Sequence, residues 1–405
     1  MADNQVTRRQ FVKAGAVAAA GVAAGITPTF TVYAGNPTKE KTDSIQNYNE
    51  QMEYRRGGRT DLMFSAVCLG GHWKRVDKMV PGLFQGRSWL SAELTSKDFE
   101  KNRYDVVTQC IERGINYIDA CTMQEVIMYS KAIKDRRDKM YLGFSWYQGE
   151  MRSLSREMEK AAKAGEPKPP GWITQKLKEC IDYGFKQTGL EYVDIWRITC
   201  HEKSGMHTDN QMEEMCEALA WAKKSGRARF TGISSHDRPH IKKWIERAPD
   251  ELDVIVTPYT ARTRMTGTKI ESAEEGDAAR VVKMDDGSWE NSLWYTMQQR
   301  DVAWFGIKPF SSGSLFKGDS SPGNPNEEED NKIARLTIRA ILTNPVITAP
   351  IPGIISPEQV DNVATAVLQR RALDVKERAE LDAATDRAFA NLPYHYRWLN
   401  DWNYV

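Results

Sequence analysis

Three of the six histidines directly follow short apolar runs: His72 in GGHW, His201 in TCHE and His236 in SSHD. Another such run, NYIDA, ends in a carboxylate, Asp119. Imidazoles titrate near neutral pH and bind divalent metals as neutral rings, and a carboxylate beside them can orient a ring or exchange a proton. If these runs are parallel strands ending on one side, the four side chains meet at one mouth although they are far apart in sequence. The group then allows an acid/base set or a divalent-metal site, or else each ring simply holds a rim loop. HDRPH places His236 and His240 four apart, as a helical metal pair would be, but Asp237 stands where a helix cap is expected.

The elements that must position them recur regularly. Strand-like runs cover 65–71, 115–119, 139–146, 192–199, 228–235, 253–259, 302–309 and 346–353. Segments with helical periodicity lie between them, such as 99–114 and 211–226, and both of those end in Gly, as helix C-termini often do. Eight strands alternating with helices predict an α/β fold, a TIM (β/α)8 barrel, rather than an open sheet. No GxGxxG follows the first strand. Long connections at 74–97, 148–171 and about 260–288 all follow a strand, so all are expected on the C-terminal rim, where substrate sites form. AGEPKPPG (164–171) marks the second as an extended loop.

The bulk composition narrows the function classes. With 56 basic and 55 acidic side chains the net charge is +1, so neither a nucleic-acid stripe nor a polybasic membrane patch is indicated. The six cysteines form no CxxC pair, which argues against a zinc ribbon or an iron–sulfur cluster. Twelve Trp and fifteen Tyr suit ligand walls or a large aromatic core. The tail 391–405 is densely aromatic and is expected either to pack on the barrel or to meet a protein partner.

The N-terminus carries TRRQFVK followed by AGAVAAAGVAAGI, too short a stretch to span a membrane. It resembles a twin-arginine export signal with cleavage after Ala34, which implies transport of a folded chain to the periplasm or beyond by the twin-arginine machinery. The expected division is a signal at 1–34, a polar lead at 35–51, a barrel at 52–367, and a C-terminal helix with an aromatic tail at 368–405. No integral membrane segment is expected in the mature chain.

MEYRRGGRTDLMFSAVCLGG (52–71), GINYIDA, LEYVDIWRI, GRARFTGISS, VTPY and IPGIISPEQVDN stand in this order. Together they resemble the aldo-keto reductase family, whose members move a hydride between NAD(P)H and a carbonyl. The family uses Asp, Tyr, Lys and His near the tops of early strands, with Tyr as proton donor. The resemblance puts the aspartate at Asp119. The tyrosine falls on Gln124, the lysine on Ser145 or Trp146, and the histidine on Thr199, two residues before His201. Tyr129 is an alternative phenol but sits in a helical pattern and is expected to pack there.

For the cofactor, the resemblance implies Ser234, Ser235, Thr257 and Tyr259 near the nicotinamide and Lys308 beside the pyrophosphate. Gly353, Ser356, Gln359 and Asn362 then fall near the adenosine phosphate. Gln359 stands where an Arg would favour a 2′-phosphate, so NAD and NADP both remain open. The expectation is an exported oxidoreductase acting on a carbonyl or sugar-like small molecule, with Asp119, His201 and His72 in a non-standard catalytic set. Two alternatives stay open: a repurposed barrel enzyme using the His/Asp groups and Lys308 with or without a metal, and a non-catalytic binding or assembly protein.

Overall fold

The computed structural model describes residues 42–201, 207–271, 280–369 and 372–405. The N-terminal stretch read as an export signal lies outside the described residues. Eight parallel strands form one sheet: β1 (Leu69–Gly70), β2 (Tyr117–Ala120), β3 (Tyr141–Phe144), β4 (Val193–Thr199), β5 (Ala228–Ser234), β6 (Val254–Pro258), β7 (Ala303–Ile307) and β8 (Ala349–Ile351). They neighbour one another in chain order. The N–H groups of Cys68 and Gly70 donate to Pro350 O and Pro352 O at 3.1 and 2.9 Å, so the last strand returns to the first and the sheet closes. This is the expected TIM barrel, and each strand falls within its expected run except β2, which ends one residue later, at Ala120.

Ten helices connect or follow the strands among the described residues: α1 (Lys97–Glu112), α2 (Met123–Ile133), α3 (Met151–Lys163), α4 (Trp172–Thr188), α5 (Asp209–Lys224), α6 (Arg238–Arg247), α7 (Leu293–Gln299), α8 (Glu327–Leu342), α9 (Pro357–Leu368) and α10 (Val375–Ala390). Local chemistry sets their ends. Ser96 caps α1, Thr208 and Gln211 form a capping box on α5, and Gly114 and Gly226 just beyond these two helices adopt φ of 75° and 77°. Asp237 accepts from His240 N–H at 3.0 Å and caps α6. HDRPH is therefore a helix start. The connection 148–171 is not one extended loop, since α3 fills most of it. Its Met151, Leu154 and Met158 recur at i, i+3 and i+7, a helical signal that the Pro/Gly-rich AGEPKPPG beyond it masks.

Before β1, a hairpin of Tyr54–Arg56 and Met63–Ser65 plugs the barrel bottom. Its Phe64 is fully buried and meets Tyr117, Tyr141 and Phe305 edge-on at 5.2, 5.4 and 5.1 Å. Inward side chains of Ile195, Val254, Val256 and Ile351 complete this floor. Filling the lower barrel with apolar rings leaves the upper interior as the place where polar groups meet. A second apolar cluster joins α10 to α8 through Leu381, Ala384 and Leu336 and takes in Leu399 of the tail.

Candidate active site

Strands alternate inward and outward with a period of two, so Tyr117 and Asp119 of β2 point into the barrel, as do Ile195, Arg197 and Thr199 of β4. Asp119 and Arg197 are 3% and 1% exposed. They form a two-pronged ion pair: Arg197 Nε donates to Asp119 Oδ1 at 2.8 Å and Nη2 to Oδ2 at 2.6 Å. Tyr117 Oη donates to the same Oδ1 at 3.2 Å. Between β2 and β4, β3 offers Gly143, where a Cβ would lie 2.1 Å from Tyr117 Oη and 3.1 Å from Asp119 Oδ1. Only glycine leaves room for the pair to cross. Burial alone would lower the Arg197 pKa, but Asp119 outweighs it and holds the guanidinium above its usual value. Arg197 is a fixed positive charge.

One level higher stand Cys121, Ser145 and Thr199. Arg197 Nη1 donates to Thr199 Oγ1 at 3.1 Å. Ser145 Oγ and Thr199 Oγ1 are 2.8 Å apart, and Ser145 donates to Glu150 Oε2 at 2.6 Å. Glu150 is fully buried and also accepts from Thr199 N–H at 2.8 Å, Trp146 N–H at 2.9 Å and Trp196 Nε1 at 3.3 Å. Burial raises its pKa against the opposing pull of these donors.

A second buried carboxylate, Glu125, ties β1 to β2. It accepts from the backbone N–H groups of His72, Cys121 and Thr122 and lies 3.0 Å from His72 Nδ1. A Cβ on Gly71 would fall 2.0 Å from its carboxyl carbon. Burial pushes the Glu125 pKa up, but His72 and the N–H donors prevail and the net shift is downward.

These groups open onto a cavity of about 1630 Å³ at the C-terminal rim. Asp119, His72, His201 and His236 all line it, as the strand pattern implied. They do not form a metal centre: no group of three or more His, Cys, Asp or Glu able to hold a metal occurs among the described residues. His72 bonds Glu125 and packs on Trp89, while His236 stacks on Trp398 of the tail at 4.0 Å. His201 donates its backbone N–H to His207 Nε2 at 3.1 Å.

Of the residues that the resemblance offered for a nucleotide, Ser234, Ser235, Lys308, Gly353, Ser356, Gln359 and Asn362 line the cavity. Thr257 and Tyr259 are not brought to its wall. Val254 and Val256 point inward, so Thr257 faces the helix layer, where its hydroxyl accepts from Trp304 Nε1 at 2.8 Å. Tyr259 packs on Trp304, and its hydroxyl accepts from Asn344 Nδ2 at 3.1 Å. Gln124, at the tyrosine position, donates to Leu90 O and accepts from Gln148, joining two rim loops. Tyr129 packs as expected, donating to Gly70 O at 2.8 Å.

The tail packs on the barrel and lines the cavity through Tyr396, Trp398 and Trp402. Trp402 is 1% exposed and donates to His236 O at 3.1 Å. Val405 and Arg264 exchange backbone hydrogen bonds with their neighbours, Val405 N–H donating to Arg264 O and Thr266 N–H to Val405 O, each at 3.0 Å.

Sequence reasoning missed Arg197, Glu150 and Glu125. Arg197 had a readable signal, a charge in the inward register of VDIWRIT that it shares with Ile195, whereas Asp194 falls in the outward one. Buried charges require partners, and Asp119 was the inward acid in reach.

Residues 88–274 match the Aldo/keto reductase family. L-glyceraldehyde 3-phosphate reductase of Escherichia coli (strain K12) is 35% identical over 80 residues, which is 20% of this chain and 22% of that protein. The match thus spans about a fifth of the curated relatives' length. Among solved structures, the holo form of an aldo-keto reductase from Bacillus halodurans superposes with a TM-score of 0.51 and 19% identity, over 85% of this chain and 99% of that one. An aldo/keto reductase from Brucella melitensis gives a TM-score of 0.48 at 14% identity, over 83% and 99% of the two chains. The chain thus folds as a TIM barrel, and its residues 88–274 are similar to the Aldo/keto reductase family.

Proposed function

We propose that the rim cavity binds a nicotinamide dinucleotide together with a carbonyl or sugar-like substrate, and that the protein transfers a hydride between them after export by the twin-arginine route. The observation that carries this reading is the extent of one cavity, which runs from Asp119 and Arg197 to the start of α9. Its volume of about 1630 Å³ exceeds the roughly 300–1,000 Å³ of an ordinary small-ligand pocket, so it has room for a nucleotide and a second molecule.

The wall formed by the loop after β7 fits a phosphate-bearing ligand. Lys308, Ser311 and Ser312 have φ of 62°, 49° and 60°, a left-handed backbone that costs non-glycine residues of order 1 kcal/mol each and is concentrated at ligand sites. Ser312 Oγ is buried and has no hydrogen-bond partner among the described residues, and Ser312 lines the cavity. Lys308 supplies a cation in the same loop, and the N-terminus of α9, which follows the neighbouring strand β8, adds its dipole. The nucleotide supplies the hydride chemistry. Ser234, Ser235, Lys308, Gly353, Ser356, Gln359 and Asn362 would hold it.

The chain's own contribution lies at the other end of the cavity. Arg197 is fixed by Asp119 and cannot deprotonate, so it serves as a preorganised charge for an oxygen that gains negative charge during reaction. His72 and His201 also line the cavity as further polar groups for orienting substrate. Trp89, Trp398 and Tyr396 give apolar faces suited to the C–H surface of a sugar ring. A protein exported already folded carries its nucleotide with it, which fits a compartment without a free nicotinamide pool.

Lys308→Ala is expected to weaken binding of NADH or NADPH about 10- to 100-fold, the loss of one charge-assisted hydrogen bond. Mass spectrometry of small molecules released from protein purified from its native envelope should show a nicotinamide nucleotide. A preparation that contains none, and that takes up none on incubation, rejects the reading.

A further inference from the structure

The position where the resemblance expects a phenolic acid is occupied by Gln124, which faces the rim loops, so the site needs another route for its proton. Proton bookkeeping around Ser145 identifies one. Ser145 has a single hydroxyl proton, and it points to Glu150 Oε2 at 2.6 Å. Thr199, 2.8 Å from Ser145, must therefore be the donor in that contact. With its proton turned inward, Thr199 accepts from Arg197 Nη1 at 3.1 Å and from the weak donor Cys121 Sγ at 3.7 Å, a long contact that a hydroxyl entering from the cavity displaces. Ser145 and Glu150 are fully buried, so the chain runs from the cavity wall to an acid that bulk water does not reach.

We infer that Thr199, Ser145 and Glu150 form a proton relay in which a substrate hydroxyl contacts Thr199 and Glu150 stores its proton. The inference rests on the hydride-transfer reading of the cavity. In the oxidative direction the substrate C–H bond gives up a hydride to an oxidised nicotinamide nucleotide, and its O–H proton passes to Thr199 Oγ1. Thr199 passes its own proton to Ser145, Ser145 passes its proton to Glu150 Oε2, the C=O bond forms, and Glu150 becomes a neutral acid. When product leaves, the same path returns the proton to water. Carbonyl reduction is the reverse. Thr199 is the catalytic contact, and Ser145 and Glu150 are positioning residues that act through it. The resting orientation of the hydroxyls favours a hydrogen-bond donor in the cavity, so alcohols and sugars in their hydroxyl form should bind in preference to isolated carbonyls.

A raised Glu150 pKa agrees with this role, because burial then favours its taking up a proton from the relay. The charged or titratable groups in electrostatic reach of Glu150 are Arg197 on β4, Cys200 just beyond that strand and Cys180 on α4. Arg197 favours the anion, and the two thiols are held neutral by burial.

The test needs neither nucleotide nor substrate. Infrared spectra of the full chain across pH 4–9 should show a buried carboxylic acid band that titrates reversibly and is absent in Glu150→Gln. After a pH jump, Thr199→Val should slow the appearance of that band about 10²-fold relative to wild type, in line with the loss of one positioned proton-transfer group. Ser145→Ala should slow it comparably, and Thr199→Ser should keep the wild-type rate because it keeps the hydroxyl. If Ser145→Ala does not fold, the Val and Ser variants of Thr199 carry the comparison. Absence of a titrating band, or equal rates in the Val and Ser variants, overturns the relay. Nucleotide calorimetry on the same preparations separates this outcome from failure of the hydride-transfer reading.

Discussion

Asp119→Ala is expected to lower the unfolding free energy by about 3–5 kcal/mol, because it leaves a buried guanidinium without its counter-charge. The loss is large against the 5–15 kcal/mol that holds a typical domain together. Two bonds of 2.8 and 2.6 Å disappear, and Tyr117 Oη loses its acceptor at the same time. No water-exposed route offers relief, since Arg197 is 1% exposed. Replacing both partners by apolar residues, Asp119→Leu with Arg197→Met, should return most of the lost stability, because desolvating the pair offsets much of its Coulomb energy. The double variant keeps the fold and loses the site's fixed charge. Urea unfolding of the two single variants and the double one measures this directly. A loss below about 1 kcal/mol in Asp119→Ala would mean that the pair is solvated rather than sealed.

Acidification from pH 7 to pH 5 is expected to destabilise the fold steeply. Burial pushes His207 and His240 down to about 4 and His236 down to about 3. In the unfolded chain each ring titrates near 6.5. The folded state therefore keeps these rings neutral where the unfolded chain binds a proton on each. With folded values below unfolded ones, their stabilising contribution is complete above pH 6.5 and is lost as pH falls from 6.5 toward each folded value. The slope is about 1.4 kcal/mol per pH unit for each ring, and about 4 for the three near pH 5. Glu150 works in the opposite sense, since its raised value favours folding as it takes up a proton, and it offsets part of that slope. Denaturant midpoints at pH 7, 6 and 5 test the expectation, and His207→Gln should remove one ring's share of the histidine slope, to which His72, also lowered by burial, contributes as well. A stability that is flat over this range would show the rings to be open to water.

The fold could be read from particular residues. Apolar runs of strand length recur between helical periods, and Gly114 and Gly226 mark helix ends where a left-handed residue is needed. Parallel strands put their C-terminal ends on one rim, which is why His72, Asp119, His201 and His236 reach the same cavity. What was hidden depends on contacts between distant segments. The Asp119–Arg197 pair joins β2 to β4 across Gly143, and nothing in the run around Asp119 points to a partner two strands away. Glu150 looked like a residue of a long loop because the Pro/Gly-rich stretch 164–171 marked the whole connection, although α3 starts right after Glu150. Thr257 was legible in principle: two-residue alternation from Val254 and Val256 turns it outward to Trp304, away from any ligand in the barrel mouth. A resemblance carries over a position in the chain, but burial and register decide what that position can touch.

The central claim is that the rim cavity holds a nicotinamide nucleotide between the Lys308 loop and the Asp119–Arg197 pair. Calorimetric titration of the full chain with NADH and with NADPH, on wild type and Lys308→Ala, tests it most directly. The account predicts saturable one-to-one binding of at least one nucleotide, weakened about 10- to 100-fold in Lys308→Ala. Absence of binding by either nucleotide to protein first stripped of small molecules, or binding unchanged by Lys308→Ala, would contradict it.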